Sequence, residues 1–174
     1  MTRHFVILSS LMLMLVSCGS TGPQTPANVQ EIDTVAQSLL FTNQLLVEQT
    51  NRDLALFVKN CGTDFALHDY GFWYRYLKHT DNKKINNDES VTVHYQVWLM
   101  DSTKCMDIIK DVKVGKKEVP NAIDHLLPMM RIGEKTEIIA PWYCAYGQKG
   151  EDCVLPYTNV RIQVEIPEND DLMI

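Results

Sequence analysis

The clearest constraint on the fold is a stretch of strict alternation. Val91, Val93, Tyr95, Val97 and Leu99 recur at every second position, so in an extended chain they share one face. Val160, Ile162, Val164 and Ile166 repeat the pattern near the end, closed by Pro167. Gly71–Leu77 and Glu134–Ala140, the latter closed by Pro141, read as further strands, and Cys105–Val114 is a weaker candidate. Ahead of them, Ile32, Val35, Ala36, Leu39 and Leu40, then Leu45, Leu46, Leu54, Leu56, Phe57 and Val58, recur at helical spacing. That predicts one long helix, or two meeting near Thr50-Asn51, within residues 32–62, with Asn60-Cys61-Gly62 as the stop. Such a stripe can pack on its own domain or on a second copy, giving a homodimer. Ala122–Met130 reads as a short apolar helix capped by Asn121. Antiparallel strands with one short helix make an α+β domain, expected over residues 70–167, with an acidic tail at 168–174.

The first residues read as an export signal. Arg3 supplies a positive start and Phe5–Val16 an apolar run broken only by Ser9 and Ser10. A spanning helix needs roughly 20 apolar residues, so this run is too short for a permanent anchor. Leu15-Val16-Ser17-Cys18 resembles the lipobox of bacterial lipoproteins. The resemblance implies removal of residues 1–17, a diacylglycerol on the Cys18 sulfur and acylation of its new amino group. Several acyl chains together anchor stably where one does not. Residues 18–31, with Gly19, Gly22, Pro23 and Pro26, have the composition of a flexible tether reaching about 20 Å.

The formal charge of −6 becomes one unit more negative when Arg3 leaves with the signal. No basic cluster exceeds Lys83-Lys84 or Lys116-Lys117, which argues against a nucleic-acid partner. Cys61, Cys105, Cys144 and Cys153 lack the Cys-x2-Cys spacing of a zinc site. Export places them where disulfides persist. Four cysteines allow three connectivities, and the spacing selects none.

Five fragments between Val91 and Ile166 together resemble the FKBP-type peptidyl-prolyl cis–trans isomerases, in that family's order. They are Val93-His94-Tyr95, Gly115-Lys116-Lys117-Glu118-Val119-Pro120, Met130-Arg131-Ile132-Gly133-Glu134-Lys135, Ala145-Tyr146-Gly147 after Pro141, and Leu155-Pro156 before the closing strand. The resemblance implies a curved antiparallel sheet wrapped on the short helix, with an apolar proline pocket between them. Lipobox, helical lead and Gly71-Phe72-Trp73-Tyr74 are further similar in layout to the gliding-motility-associated FKBP-like lipoproteins of Bacteroidetes.

Rotation about an X–Pro bond needs no nucleophile, metal or cofactor, only help over a barrier near 18–20 kcal/mol. By the resemblance, Tyr95 and Tyr146 are the catalytic tyrosines, and Met106, Asp107, Val119, Pro120, Ile123, Leu155 and Ile162 bind substrate. The chain departs from the family at four of these positions. Ile123 stands for the tryptophan of the pocket floor, and Ile162 for an aromatic. Pro120 replaces a residue whose N–H binds ligand, and proline has none to give. The family's Phe-Asp pair aligns with Cys105-Met106 or, shifted by one, Met106-Asp107. These departures set a weakened isomerase against a non-catalytic binding or chaperone module on the same fold.

In the family layout Cys105 and Cys153 fall on opposite rims of the pocket and Cys144 just before Tyr146. A Cys105–Cys153 or a Cys144–Cys153 bridge would stiffen the loop over the site. The expected partners are proline-containing polypeptides of the cell envelope, and the membrane itself. With Gly19 after the lipidated cysteine and no acid close behind, sorting rules for lipoproteins imply the outer membrane, facing the periplasm.

Overall fold

The computed structural model describes residues 29–62 and 64–168. The export signal at 1–17, Cys18, the tether as far as residue 28 and the tail from 169 lie outside the described residues. Helix α1, Val29–Asn60, is single and unbroken, rather than a pair meeting at Thr50-Asn51. It begins inside the segment assigned to the tether, because no proline or glycine stands between Val29 and the apolar stripe.

The chain forms two compact units, one ending at Gln44 and one starting at Leu45. In the first, residues 34–44 are exposed all round, and Val35, Leu39, Leu40 and Phe41 are each more than half exposed. The second holds the rest of α1 and a six-stranded antiparallel sheet. Its strands are β1 Ala66–Leu67, β2 Trp73–Lys78, β3 Ser90–Leu99, β4 Lys104–Lys113, β5 Lys135–Ala140 and β6 Val160–Glu165, in the order β1-β2-β5-β6-β3-β4. The two-residue β1 carries no periodicity and escapes a sequence reading.

The sheet curves around helix α2, Asn121–Leu126, which tightens into a 3-10 turn at Leu127–Met129. The α-helical part is shorter than Ala122–Met130, since Pro128 has no N–H to continue the ladder. Asn121 is not its cap. Pro120 holds that place without any side-chain cap bond, and its carbonyl accepts from the N–H groups of Ile123 and Asp124 at 2.9 and 3.1 Å.

Alternation on the strands sorts the residues onto two faces. Val93, Val97, Met106, Val112, Ile138, Val160, Ile162 and Val164 point inward and pack with Ala122, Ile123, Leu126 and Leu127 of α2 in one core. A satellite cluster on the outer face joins Leu54 and Val58 of α1 to Ile139 of β5. Next to it Trp142 donates from Nε1 to Thr50 Oγ1 at 3.3 Å, and the Tyr143 hydroxyl donates to Asn51 Oδ1 at 2.5 Å. Among the described residues, no helix is long and apolar enough to cross a membrane.

Candidate active site

A cavity of about 450 Å³ opens between the inner face of β3–β4, the loop into α2 and the loop after β5. Tyr95 reaches it from β3, Ile108 and Lys110 from β4, Val119 and Pro120 from the entry to α2, and Tyr146 and Glu151 from the far loop.

Each wall is held by identifiable bonds. The Asp124 carboxylate, buried in the first turn of α2, accepts from the backbone N–H of Gly115 at 2.9 Å and of Lys117 at 3.2 Å. Those bonds lock a loop in which Gly115 adopts φ +80°, a conformation that costs glycine nothing. Val119 and Pro120 are thereby fixed at the cavity edge. Across from them, a 3-10 turn at Trp142–Cys144 aims Tyr146 inward. Asn159 Oδ1 accepts from the Trp142 N–H at 2.9 Å, and Gly147 N–H donates to the Trp142 carbonyl at 2.8 Å. The loop tip closes by reciprocal backbone bonds between Glu151 and Val154. Gly150 carries φ +69° there, and a Cβ on it would collide with the Val154 carbonyl oxygen.

Cys105 and Cys153 are joined in a disulfide with a Cα–Cα distance of 5.8 Å, within the reach such a bond needs. It ties the start of β4 to the tip that carries Glu151. Cys144 takes no part. Its thiol is buried, donates to the Tyr70 carbonyl at 3.0 Å, and is pushed up to about 11 by burial. The Cys144–Cys153 alternative is therefore set aside, since Cys144 turns back toward the β1–β2 connection.

Electrostatically the cavity centres on its two tyrosines. The Tyr146 hydroxyl is buried and has no hydrogen-bond partner among the described residues. Burial chiefly, then Tyr95, Glu151 and Asp152, push its ionisation far above the usual phenol range. Burial and Glu151 raise Tyr95 as well. Both therefore stay protonated at neutral pH. Tyr146 is a donor without an acceptor, which buried hydroxyls seldom remain.

Of the residues named from sequence, Tyr95, Val119, Pro120 and Tyr146 meet at the cavity. Five do not line it. Met106, Ile123 and Ile162 lie in the core with at most 6 % of their surface exposed. Leu155 is 70 % exposed, beyond the tip. Asp107 faces the opposite side of the sheet, because it stands across from Gln96 while Met106 stands across from Val97. A one-residue step on a strand reverses the face. There the carboxylate binds Lys104 Nζ at 2.5 Å, His94 Nε2 at 2.7 Å and Gln96 Nε2 at 2.8 Å. Lys104 and then His94 hold it well below the ordinary carboxylate range.

Ile108, Lys110, Lys117, Glu118, Ala145 and Glu151 line the cavity and were missed. Parity on β4 could have found Ile108 and Lys110, and the buried Asp124 left no periodic signal. A second hollow, of about 600 Å³, lies beside Tyr74, Arg75, Tyr76 and His79. Three of its polar groups are already engaged: Arg75 with Glu137, His79 with Glu134, and the Tyr76 hydroxyl with the Met129 carbonyl. It offers a ligand little.

Comparison with known proteins agrees with this fold. A crystal structure of a peptidyl-prolyl cis-trans isomerase from Pseudomonas syringae pv. tomato superposes with a TM-score of 0.58 at 19% identity, covering 70% of this chain and 93% of that one. The N-terminal domain of FKBP42 from Arabidopsis thaliana gives 0.54 at 19% identity, covering 60% and 90%. At such identities the likeness establishes the fold. In sequence, FK506-binding protein 5 of Rhizopus delemar is 27% identical over 105 residues, which are 56% of this chain but only 27% of that protein. Residues 81–173 match the profile of the FKBP-type peptidyl-prolyl cis-trans isomerases, and the chain belongs to that family.

Proposed function

We propose that this chain is a membrane-anchored prolyl cis–trans isomerase of the cell envelope, acting on exported polypeptides near the bilayer. Its finer placement is among the gliding-motility-associated FKBP-like lipoproteins, on the layout of lipobox, helical lead and Gly71–Tyr74. Lipidation at Cys18 and a periplasm-facing position on the outer membrane belong to the same reading.

The observation that carries the activity is the buried, unpartnered hydroxyl of Tyr146 at the cavity wall. Rotation of an X–Pro bond breaks amide resonance over a barrier near 18–20 kcal/mol. The apolar part of the cavity wall, Tyr95, Ile108, Val119 and Ala145, strips water from the imide and holds the twisted form. Tyr146 then donates to the carbonyl oxygen of the bound peptide. A donor made available only to the bound state, and strongest on the twisted one, lowers the barrier.

The test is proline-limited refolding catalysed by the detergent-solubilised full chain. The native sequence is expected to accelerate the slow phase, and Tyr146→Phe to lose about tenfold, the worth of one hydrogen bond near 1.4 kcal/mol. No acceleration by the native chain would sink the catalytic reading. Incorporation of labelled palmitate, abolished in Cys18→Ala, tests the anchor.

A second reading, a non-catalytic binding module of an envelope assembly, is favoured by Pro120. It sits on the wall without an N–H to offer ligand. Peptide binding without acceleration of refolding distinguishes it.

A further inference from the structure

The walls of this cavity carry charge in an ordered way. On β4 the inward parity runs Met106, Ile108, Lys110, Val112, and alternation calls for an apolar side chain at the third place. A lysine stands there and lines the cavity. Its ammonium donates to the Glu118 carbonyl at 2.8 Å, which uses one of three N–H donors. Among the described residues it has no other hydrogen bond and no carboxylate partner. Lys117 lines the same side; its backbone N–H is held by Asp124, and its ammonium has no hydrogen bond or ion pair among the described residues. Glu118 also lines the cavity, and its carboxylate is engaged, accepting from the Lys113 N–H at 3.2 Å. Across the cavity Glu151 is near enough to both tyrosines to raise them, and it too forms no ion pair among the described residues. The cavity is thus cationic on the β4 side and anionic at the tip.

Lys110 is exposed, so it stands at the open rim of the cavity on an edge strand, where its ammonium can meet a bound peptide. We propose that Lys110 is a specificity-determining residue that selects prolines immediately preceded by an acidic side chain. The inference rests on the reading of this cavity as the proline site. A peptide whose proline enters between Tyr95 and Tyr146 places its preceding side chain at the wall. There a carboxylate meets the free donors of Lys110, with Lys117 beside it. An apolar side chain in that place strips water from the ammonium with no compensation. A basic one faces like charge.

The experiment is a peptide series Ala-X-Pro-Phe with X as Glu, Gln, Leu or Lys. Each peptide is measured with the full chain both for kcat/KM of isomerisation and for Kd. Glu and its neutral isostere Gln differ only in charge. The Glu peptide is expected to exceed the Gln peptide by about three- to tenfold, the range of a partly exposed ion pair in a groove. The ratio should shrink toward one in about 0.5 M salt, where screening acts within a few ångströms. Lys110→Met restores the apolar pattern and should fold at least as well. It is expected to erase the Glu-over-Gln ratio while Leu-Pro is still bound. Lys110→Glu should reverse the order in favour of Lys-Pro.

A ratio near one in the native chain, or one unchanged in Lys110→Met, overturns the proposal. Tighter binding of Glu-Pro without turnover of any peptide keeps it and sinks the catalytic reading instead. If no peptide binds even at millimolar concentration, both fall.

Discussion

The two faces of the sheet are built on opposite principles, although they share the same strands. The inner face packs Val93, Val97, Ile138, Ile162 and Val164 against Ile123, Leu126 and Leu127, all with no measurable exposure. It leaves polar atoms there without partners, the Tyr146 hydroxyl and Thr136 Oγ1. The outer face is a lattice of charge. The Glu137 carboxylate on β5 accepts from Nε of Arg75 on β2 at 2.7 Å and lies 2.6 Å from its Nη2, and Arg161 on β6 approaches it to 3.6 Å. Arg75 lies over Phe65 and Arg161 over Trp98, at 4.9 and 5.3 Å from the ring centroids. Stability on the inner side comes from volume filled, and on the outer side from charges matched, although Arg161 Nε there is buried without a hydrogen bond among the described residues. A site that must hold a foreign peptide belongs on the first, where a hydroxyl can wait without a competing partner.

Ile123→Ala attacks the inner face and should have the largest effect. It removes a fully buried side chain beneath the cavity, and a loss of about 2–5 kcal/mol is expected in denaturant unfolding. A loss under about 1 kcal/mol would mean that α2 repacks freely. Glu137→Gln tests the outer face. It strips one charge from between two arginines that are themselves about a third exposed, so about 1–3 kcal/mol is expected. Adding Arg75→Met should return part of that loss, as a double-mutant cycle would show. Full additivity would make the pair a matter of packing alone.

The smallest effect concerns His68, at the rim where β1 meets β2. Its ring stacks on Phe72 with centroids 4.4 Å apart, and its Nδ1 accepts from the Tyr70 N–H at 3.2 Å. Burial lowers its affinity for a proton below the ordinary histidine value, with His125 adding to that and Asp69 opposing it. The folded chain therefore binds that proton less readily than the unfolded one. The contribution is complete above about pH 6.5 and fades as pH falls below that value. Urea midpoints measured between about pH 7 and pH 5 should decline, and His68→Phe should flatten that part of the slope. An unchanged slope would place the sensitivity elsewhere.

Much of this was legible beforehand, because the signals were local. Alternation at Val91–Leu99 and Val160–Ile166 is a property of the extended backbone, and both became central strands of the sheet. The helical stripe before Asn60 and the turn glycines at 115, 133 and 147, all with positive φ, likewise depend on near neighbours. The motifs around Tyr95, Val119 and Tyr146 marked two sides of the cavity. Asp107 shows where such reading stopped. Its strand has no clean period, and only pairing with β3 reveals that it stands opposite Gln96 and faces away.

Strand parity places Lys110 on the cavity side, but its contacts, like those of Glu151 and Asp124, were out of reach for the same reason. Each acquires its role from a segment distant in the chain or from a loop with no period of its own. Lys110 needs the Glu118 carbonyl, Glu151 needs the tyrosines across the cavity, and Asp124 needs the backbone of Gly115 and Lys117. The choice between Cys105 and Cys144 as the partner of Cys153 was of this kind as well. Backbone periodicity and turn chemistry act over a few residues, so residue order alone dictated the long strands, the long helix and the family. Which side chains share a cavity depends on strand register and on loops meeting across the sheet, and only the folded chain decided that.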